Sequence, residues 1–247
     1  MFDVTVRDGI LQLARPHTRW LSTGYNGGFS TADAAYNITV PDGWDRTDLD
    51  AYVDERLQAA DFSVPGPALL TGVEMRHARG ARLGPVVAYA TAGISNPAAL
   101  PVDPSGDSGA QAETDAEHAV PGERGRDGDD HEFGTVNIVV GTTRELTQSA
   151  RANLLTVVAE AKAATLLAAA GVPGTTTDAV IVGDDGTGPE ATFSGSATPV
   201  GSAARACVRD ALLATLDARY TDTAIPTSVD DADYGVRTDR HAEVFRP

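Results

Sequence analysis

Residues 134–141 read GTVNIVVG and residues 174–183 read GTTTDAVIVG, and between them runs a long Ala/Leu/Val stretch that carries Glu160 and Lys162. In the first run Val136, Ile138 and Val140 fall on one face and Thr135, Asn137 and Val139 on the other, the period of two of a strand with different neighbours on its two sides. Asn137 is the polar residue out of place there. The stretch between predicts a helix over residues 145–170, with Glu145 in its first turn at the positive end of the dipole and Gly171 and Pro173 as its stop. Its second half is apolar almost all round, the mark of a helix buried on several sides, so Glu160 and Lys162 are expected not to be ordinary surface charges. Two positions apart, they point about 200° apart. Glu160 shares a side with Ser149 and Asn153, and Lys162 with Arg151, Val158 and Thr165, so the two cannot both face one pocket squarely.

Lys162 is also the only lysine among nineteen Lys and Arg residues. Arginine keeps its proton and has a planar fork, whereas an ammonium is a compact donor that gives up its proton readily when buried. A site needing that chemistry resists replacement of its lysine. The plainer reading makes Lys162 the survivor of a compositional drift or half of a buried structural pair.

The 247 residues carry a formal net charge of −16, with 42% hydrophobic and 6% aromatic residues. That length supports one domain with a real core. The acidic excess argues against nucleic acid and anionic membranes as partners. With lysine almost absent, it is the composition of a halophile's protein held soluble in a salt-rich cytoplasm, where long-range repulsion is screened. The start, MFDVTVRDG, opens directly into alternation rather than a signal peptide, and no apolar run is expected to reach membrane length, which predicts a soluble cytoplasmic chain. The single cysteine, Cys207, excludes an internal disulfide and a thiolate cluster, and sits in a helical pattern as a small core residue. His17, His77, His118, His131 and His241 show no metal-ligand spacing, so no metal is expected.

Outward from the centre, residues 2–6 and 10–14 alternate around Asp8-Gly9, a hairpin signal. A short hydrophobic segment at 20–22 leads into STGYNGG, whose glycines allow a close backbone approach but do not match a nucleotide fingerprint. Residues 35–40 form a strand containing Asn37, and Thr47 or Asp48 caps a helix with Leu49, Val53 and Leu57 turned inward. Residues 67–73 and 85–93 read as two strands joined by an Arg-rich connection, most simply antiparallel, and the second ends at Ile94-Ser95-Asn96-Pro97. Residues 101–132 have no apolar period and are rich in Asp, Glu, Gly and Pro, which predicts a disordered acidic insertion. A helix covers 200–217, and residues 220–247 read as a polar, peripheral tail.

The sum is an α+β single domain, residues 1–219. A mixed, largely antiparallel sheet of segments near 3–14, 35–40, 67–73, 85–93, 135–140 and 177–182 packs against the long helices 145–170 and 200–217. The alternative is a four-layer αββα sandwich, which requires two stacked sheets.

Taken together, LSTGYNGG, AYNITV, ATAGISN, GTVNIVV, AEAK, GTTTDAVIVG and SGSATPVGSAARACVRDAL, in that order over most of residues 20–217, resemble the adenosylcobinamide amidohydrolases of archaeal corrinoid salvage. The acidic insertion after Asn96 and the C-terminal tail depart from the family's pattern. The resemblance implies hydrolysis of the secondary amide that joins aminopropanol to the corrin side chain, giving adenosylcobyric acid and 1-amino-2-propanol. The corrinoid is then substrate, and no cofactor is expected.

Amide hydrolysis needs a nucleophile or activated water, donors for the developing oxyanion and a proton for the leaving amine. With His and Cys poorly placed, the candidates are Glu160 as base, Lys162 as electrostatic stabiliser or proton donor, Asn96, Asn137 or the backbone amides of STGYNGG as oxyanion donors, and Asp178 to orient one of them. Ser22, Thr23, Asn26, Asn37, Asn96, Thr135 and Thr177 are candidates to hold the amide-studded ring by paired donors and acceptors. Two other readings stay open. Gly134-Thr135, at a loop end before a strand, has the arrangement of self-processing N-terminal-nucleophile hydrolases. A carrier or sensor binding a corrinoid without cleaving it would use the same polar residues, but would gain nothing from burying Glu160 and Lys162.

Overall fold

The computed structural model describes residues 2–41, 43–102 and 134–247, so most of the acidic insertion expected at 101–132 lies outside the described residues. The chain opens on the expected hairpin, in which β1 (Asp3–Arg7) and β2 (Ile10–Ser22) are joined by Asp8 and Gly9 at φ 49° and 73°. Strand β2 runs on past the hairpin, takes in the hydrophobic segment at 20–22, and pairs along its length with β3 (Gly28–Thr39). Helix α1 (Leu49–Ala59) follows, its N-terminus capped by the Asp48 carboxylate, which accepts from the Ala51 amide. Next come β4 (Ala68–Thr71), a 3-10 turn (Met75–His77), β5 (Arg79–Leu83), β6 (Val86–Ala92) and the two-residue β7 (Ala98–Ala99). The second part holds β8 (Val136–Thr142), β9 (Glu145–Leu146), α2 (Gln148–Ala170), β10 (Ala179–Asp185), β11 (Glu190–Ala191), α3 (Pro199–Arg219) and β12 (Val236–Arg237).

The large sheet has the order β4-β3-β2-β10-β8-β6-β5, with β1 also on β2. Pairs β3/β4 and β8/β10 are parallel and the others antiparallel, so the α+β class with a mixed, mostly antiparallel sheet is as the sequence suggests. The sheet is doubled over. Strands β3 and β8 stand three places apart, about 14 Å in a flat sheet, yet Asn137 on β8 donates to Asn37 on β3 at 2.9 Å. The fold line is the register break in β2 between Ala14 and Thr18, which contains Pro16 and His17, the latter at φ 58°.

Doubling makes three packed cores. Val136, Ile138 and Val140 face outward with β6 onto α2 and α3, against Leu154, Val158, Leu166, Val208 and Leu212. Val139 and Ile181 face inward and meet Leu13, Trp20, Ala35 and Leu69 from the folded-over half. Beyond that half, Ile10, Tyr36 and Ile38 pack on Val53 and Leu57 of α1. Among the described residues the two stacked halves are therefore one continuous eight-stranded sheet, although the layering, helix outside each half, approaches the sandwich alternative.

Three expectations need correction. Helix α2 begins at Gln148, not 145: Thr147 is the N-cap, its hydroxyl accepting from Ala150 N at 3.2 Å, while Glu145 and Leu146 pair with Glu190 and Ala191 as a short strand. Strands β4 and β6 are not partners. The Arg-rich connection itself supplies β5, which closes a tight hairpin with β6, and that short loop wins over the long connection to β4. Third, α2 is long and apolar enough, by length and composition, to cross a membrane. In the fold its buried residues, Leu154, Val157, Val158, Ala161 and Leu166 among them, serve as a core face.

Candidate active site at the strand ends

Because β8 and β10 run parallel and β2 and β6 antiparallel to them, the N-terminal ends of the first pair and the C-terminal ends of the second meet along one edge of the sheet. Thr135, Thr177 and Asp178 arrive from β8 and β10, Thr23 from β2, and Ser95 and Asn96 from β6. The crossover helix α2 runs back along the sheet, so its second half brings Lys162 to the same edge.

Lys162 donates to Asp178 Oδ2, and the two side chains are only 15% and 10% exposed. Asp178 also accepts from the amides of Val136 and Thr175, each at 3.1 Å, and from the Thr175 hydroxyl. These four donors fill its acceptor sites and fix its orientation. An ammonium has three N–H groups. Asp178 takes one, leaving two for other acceptors. The backbone of Gly174 runs so close that a Cβ there would lie 2.3 Å from Asp178 Oδ2 and 2.7 Å from Lys162 Nζ, which explains glycine at that turn.

The surrounding groups are hydroxyls and an amide. The Thr135 and Thr177 hydroxyls hydrogen-bond to each other at 2.8 Å, with Thr177 exposed and Thr135 buried. Thr23 Oγ1 accepts from Val180 N at 2.9 Å. Asn96 is 6% exposed, its Nδ2 donates to Thr176 Oγ1 at 2.7 Å, and its Oδ1 has no partner among the described residues. One N–H of Nδ2 and the unpartnered Oδ1 remain, so Asn96 offers both a donor and an acceptor at this edge. The Ser95 hydroxyl, which the sequence reading left aside, accepts from Gly134 N and closes the cluster over the start of β8.

Other candidates lie elsewhere. Glu160 is not buried: its side chain is 57% exposed, at 3.4 Å from Arg205 on the α2–α3 seam, because the face opposite Lys162 points outward. Asn137 and Asn37 are buried between the two halves of the sheet, where Asn137 Nδ2 donates to Asn37 Oδ1 and to the Leu70 carbonyl, both at 2.9 Å, and Asn37 Nδ2 to Thr91 Oγ1 at 2.9 Å. Ser22 is buried, with its hydroxyl accepting from Gly24 N at 3.1 Å, and Asn26 stands exposed in the β2–β3 turn at φ 49°. That turn is tethered to α1 by the Tyr25 hydroxyl on Asp50, a bond that pushes the phenol up to about 12.

At the opposite end of β10 lies a charge network the sequence reading missed. Asp184, fully buried, accepts from Arg151, from Arg19 Nε at 3.1 Å and from Leu146 N at 3.0 Å. Next to it, burial opposes ionisation of Asp185, but hydrogen bonds from the Thr187 amide and hydroxyl, with help from Arg15, outweigh it and hold this carboxyl below its ordinary value. An arginine inside an otherwise apolar helix, facing a strand that ends in Asp-Asp, was the available signal. Two surface concavities, about 390 Å³ beside α1 and about 550 Å³ between the 3-10 turn and the end of α3, lie off the strand-end cluster. The larger is lined in part by Tyr220, whose hydroxyl accepts from Ile94 N at 2.7 Å.

Residues 2–224 match the family model described as adenosylcobinamide amidohydrolase. The chain is also 55% identical, over 249 aligned residues covering all of both chains, to a Halobacterium salinarum protein named adenosylcobinamide amidohydrolase. The residues quoted for the resemblance lie within the matched span, and the relative comes from a halophile. This chain belongs to the adenosylcobinamide amidohydrolase family.

Proposed function

We propose that the chain hydrolyses the aminopropanol amide of adenosylcobinamide, releasing adenosylcobyric acid and 1-amino-2-propanol, with Lys162 and Asp178 at the centre of the site. Family membership supports the reaction. The observation that carries the site is the Lys162–Asp178 pair, largely buried at a strand end ringed by hydroxyls. Buried ion pairs add little net stability over apolar packing. What favours a working role here is the place of the pair, at the strand ends beside the Thr135 and Thr177 hydroxyls and the unpartnered Asn96 Oδ1.

In this reading Asp178 is a positioning residue, which holds Lys162 while its own remaining acceptors are tied to Val136 and Thr175. The free N–H groups of Lys162 stabilise negative charge on the tetrahedral carbon's oxygen and give the leaving amine its proton, and the proton shed by the attacking water returns to the Lys162 amine and restores the ammonium. The Thr135 and Thr177 hydroxyls hold the attacking water or the amide. Glu160, exposed on the helix seam, has no part. The corrinoid, cobalt included, is substrate, and the chain's own side chains do the chemistry without a resident cofactor. The acidic composition suits work in a salt-rich cytoplasm.

The test is incubation of the purified chain with adenosylcobinamide in molar salt, with assay of free aminopropanol. Stoichiometric release over many turnovers supports hydrolysis; tight corrinoid binding with no release contradicts it.

A further inference from the structure

The C-terminal tail ends outside the family match, yet it makes a regular set of bonds to the segment that carries Ser95 and Asn96. Tyr234 N donates to the Ser95 carbonyl at 3.1 Å, Val236 N to that of Pro97 at 2.9 Å, and Thr238 N to that of Ala99 at 3.0 Å. Strand β12 thereby pairs in parallel with β7. On its other side the same segment is held by the loop before β10: Ala98 N donates to the Gly174 carbonyl at 2.9 Å, Thr176 N to the Asn96 carbonyl at 3.2 Å, and Pro97 bridges Thr175. Asn96 is thus clasped between the loop that carries Asp178 and a strand from the tail.

We infer that residues 234–238 are a positioning element of the hydrolytic site, a strand the chain adds to itself to fix the Ser95–Asn96 backbone against the Lys162–Asp178 loop. Three features separate this from ordinary packing. Tyr234 and Val236 are 41% and 51% exposed, so the strand buries little apolar surface and works through its backbone. Gly235 sits at φ 143°, and a Cβ there would lie 2.7 Å from the Pro97 carbonyl oxygen, so the approach is built into the sequence. Finally, the clasped segment is tied to the start of β8 as well, where the Gly134 amide donates to the Ser95 hydroxyl. Backbone with few buried apolar contacts opens most readily, and a backbone misplacement near 1 Å at a catalytic edge is costly to rate. Added-strand pairing is the way an exposed edge gains order from main-chain bonds alone.

The inference rests on the strand-end cluster being the hydrolytic site. Its test compares full-length protein, a truncation removing residues 239–247, a truncation removing 234–247, and Val236→Pro, which deletes the central N–H donor. Readouts are kcat and KM for adenosylcobinamide, melting temperature, and amide exchange of residues 93–102 by mass spectrometry. Loss of 239–247 should change nothing. Loss of 234–247 and Val236→Pro should each lower kcat about tenfold or more, with KM and melting temperature nearly unchanged and faster exchange in 93–102. Unchanged kcat, or exchange at 93–102 as slow as in the full chain, overturns the inference. Should the longer truncation fail to fold, Val236→Pro decides. If Val236→Pro loses turnover while Lys162→Met keeps it, the clasp stands and the Lys162 assignment falls; the opposite pattern removes the clasp alone.

Discussion

Asp184→Asn should be among the most destabilising single changes in this protein while leaving its chemistry intact. Asp184 is fully buried and holds Arg151, whose side chain is 7% exposed, together with Arg19 at 31%. The substitution leaves the Arg151 guanidinium buried without a counter-charge, a loss of about 3–5 kcal/mol for a pair broken on one side. Asn retains one acceptor, which places the effect toward the lower end. At about 2–4 °C per kcal/mol for a domain of this size, the melting temperature should drop by roughly 6–20 °C. Because the pair is buried, raising salt should rescue little of the loss, whereas exposed pairs respond to salt. Thermal and denaturant unfolding at two salt concentrations, with aminopropanol release per folded molecule measured in parallel, give the answer. A drop below about 2 °C, or loss of turnover in correctly folded protein, would refute the division of labour in which one end of β10 stabilises and the other reacts.

Gly174→Ala should separate Lys162 from Asp178, since the new Cβ falls 2.3 Å from the carboxylate oxygen, and should cut kcat/KM about tenfold or more; unaltered kinetics would show that the pair's geometry does not matter. Glu160→Gln removes only an exposed contact with Arg205, so stability should change by less than about 1 kcal/mol and turnover not at all. A large loss of turnover would restore Glu160 as the base. Asp185 titrates low in the fold, so its stabilisation is fully present above its unfolded value of about 3.9 and is lost as pH falls through the lower folded value. The stability gap between wild type and Asp185→Asn should therefore be wide at pH 7 and close below about pH 4, and a gap of constant size across that range would contradict the assignment.

Alternation around Asn137 and the glycine stop of α2 were legible because they are local: a period of two, a cap, a turn dipeptide. The isolation of Lys162 was legible too, and its partner Asp178 lies in the same run that frames the next strand. What could not be read was the folding of the sheet on itself. Pro16 and His17 look like an interruption between two strands, and only the pairing of β2 with both β1 and β10 turns them into a hinge that buries Asn37 against Asn137. Apolar residues almost all round predict a helix buried on several sides, whereas the Glu160 side of α2 is open to solvent and meets Arg205 of α3. The tail's role depends on backbone donors, which carry no side-chain signature.

The most direct test of the central claim is turnover of adenosylcobinamide by Lys162→Arg and Lys162→Met, with melting curves on the same preparations. Both variants should keep the fold and lose most activity, because a guanidinium displaces the charge and keeps its proton, and a thioether has neither. Lys162→Met leaves Asp178 uncompensated at a cost of a few kcal/mol on either reading, so turnover per folded molecule decides: a purely structural pair would retain it. Near-normal turnover in folded Lys162→Arg contradicts the account.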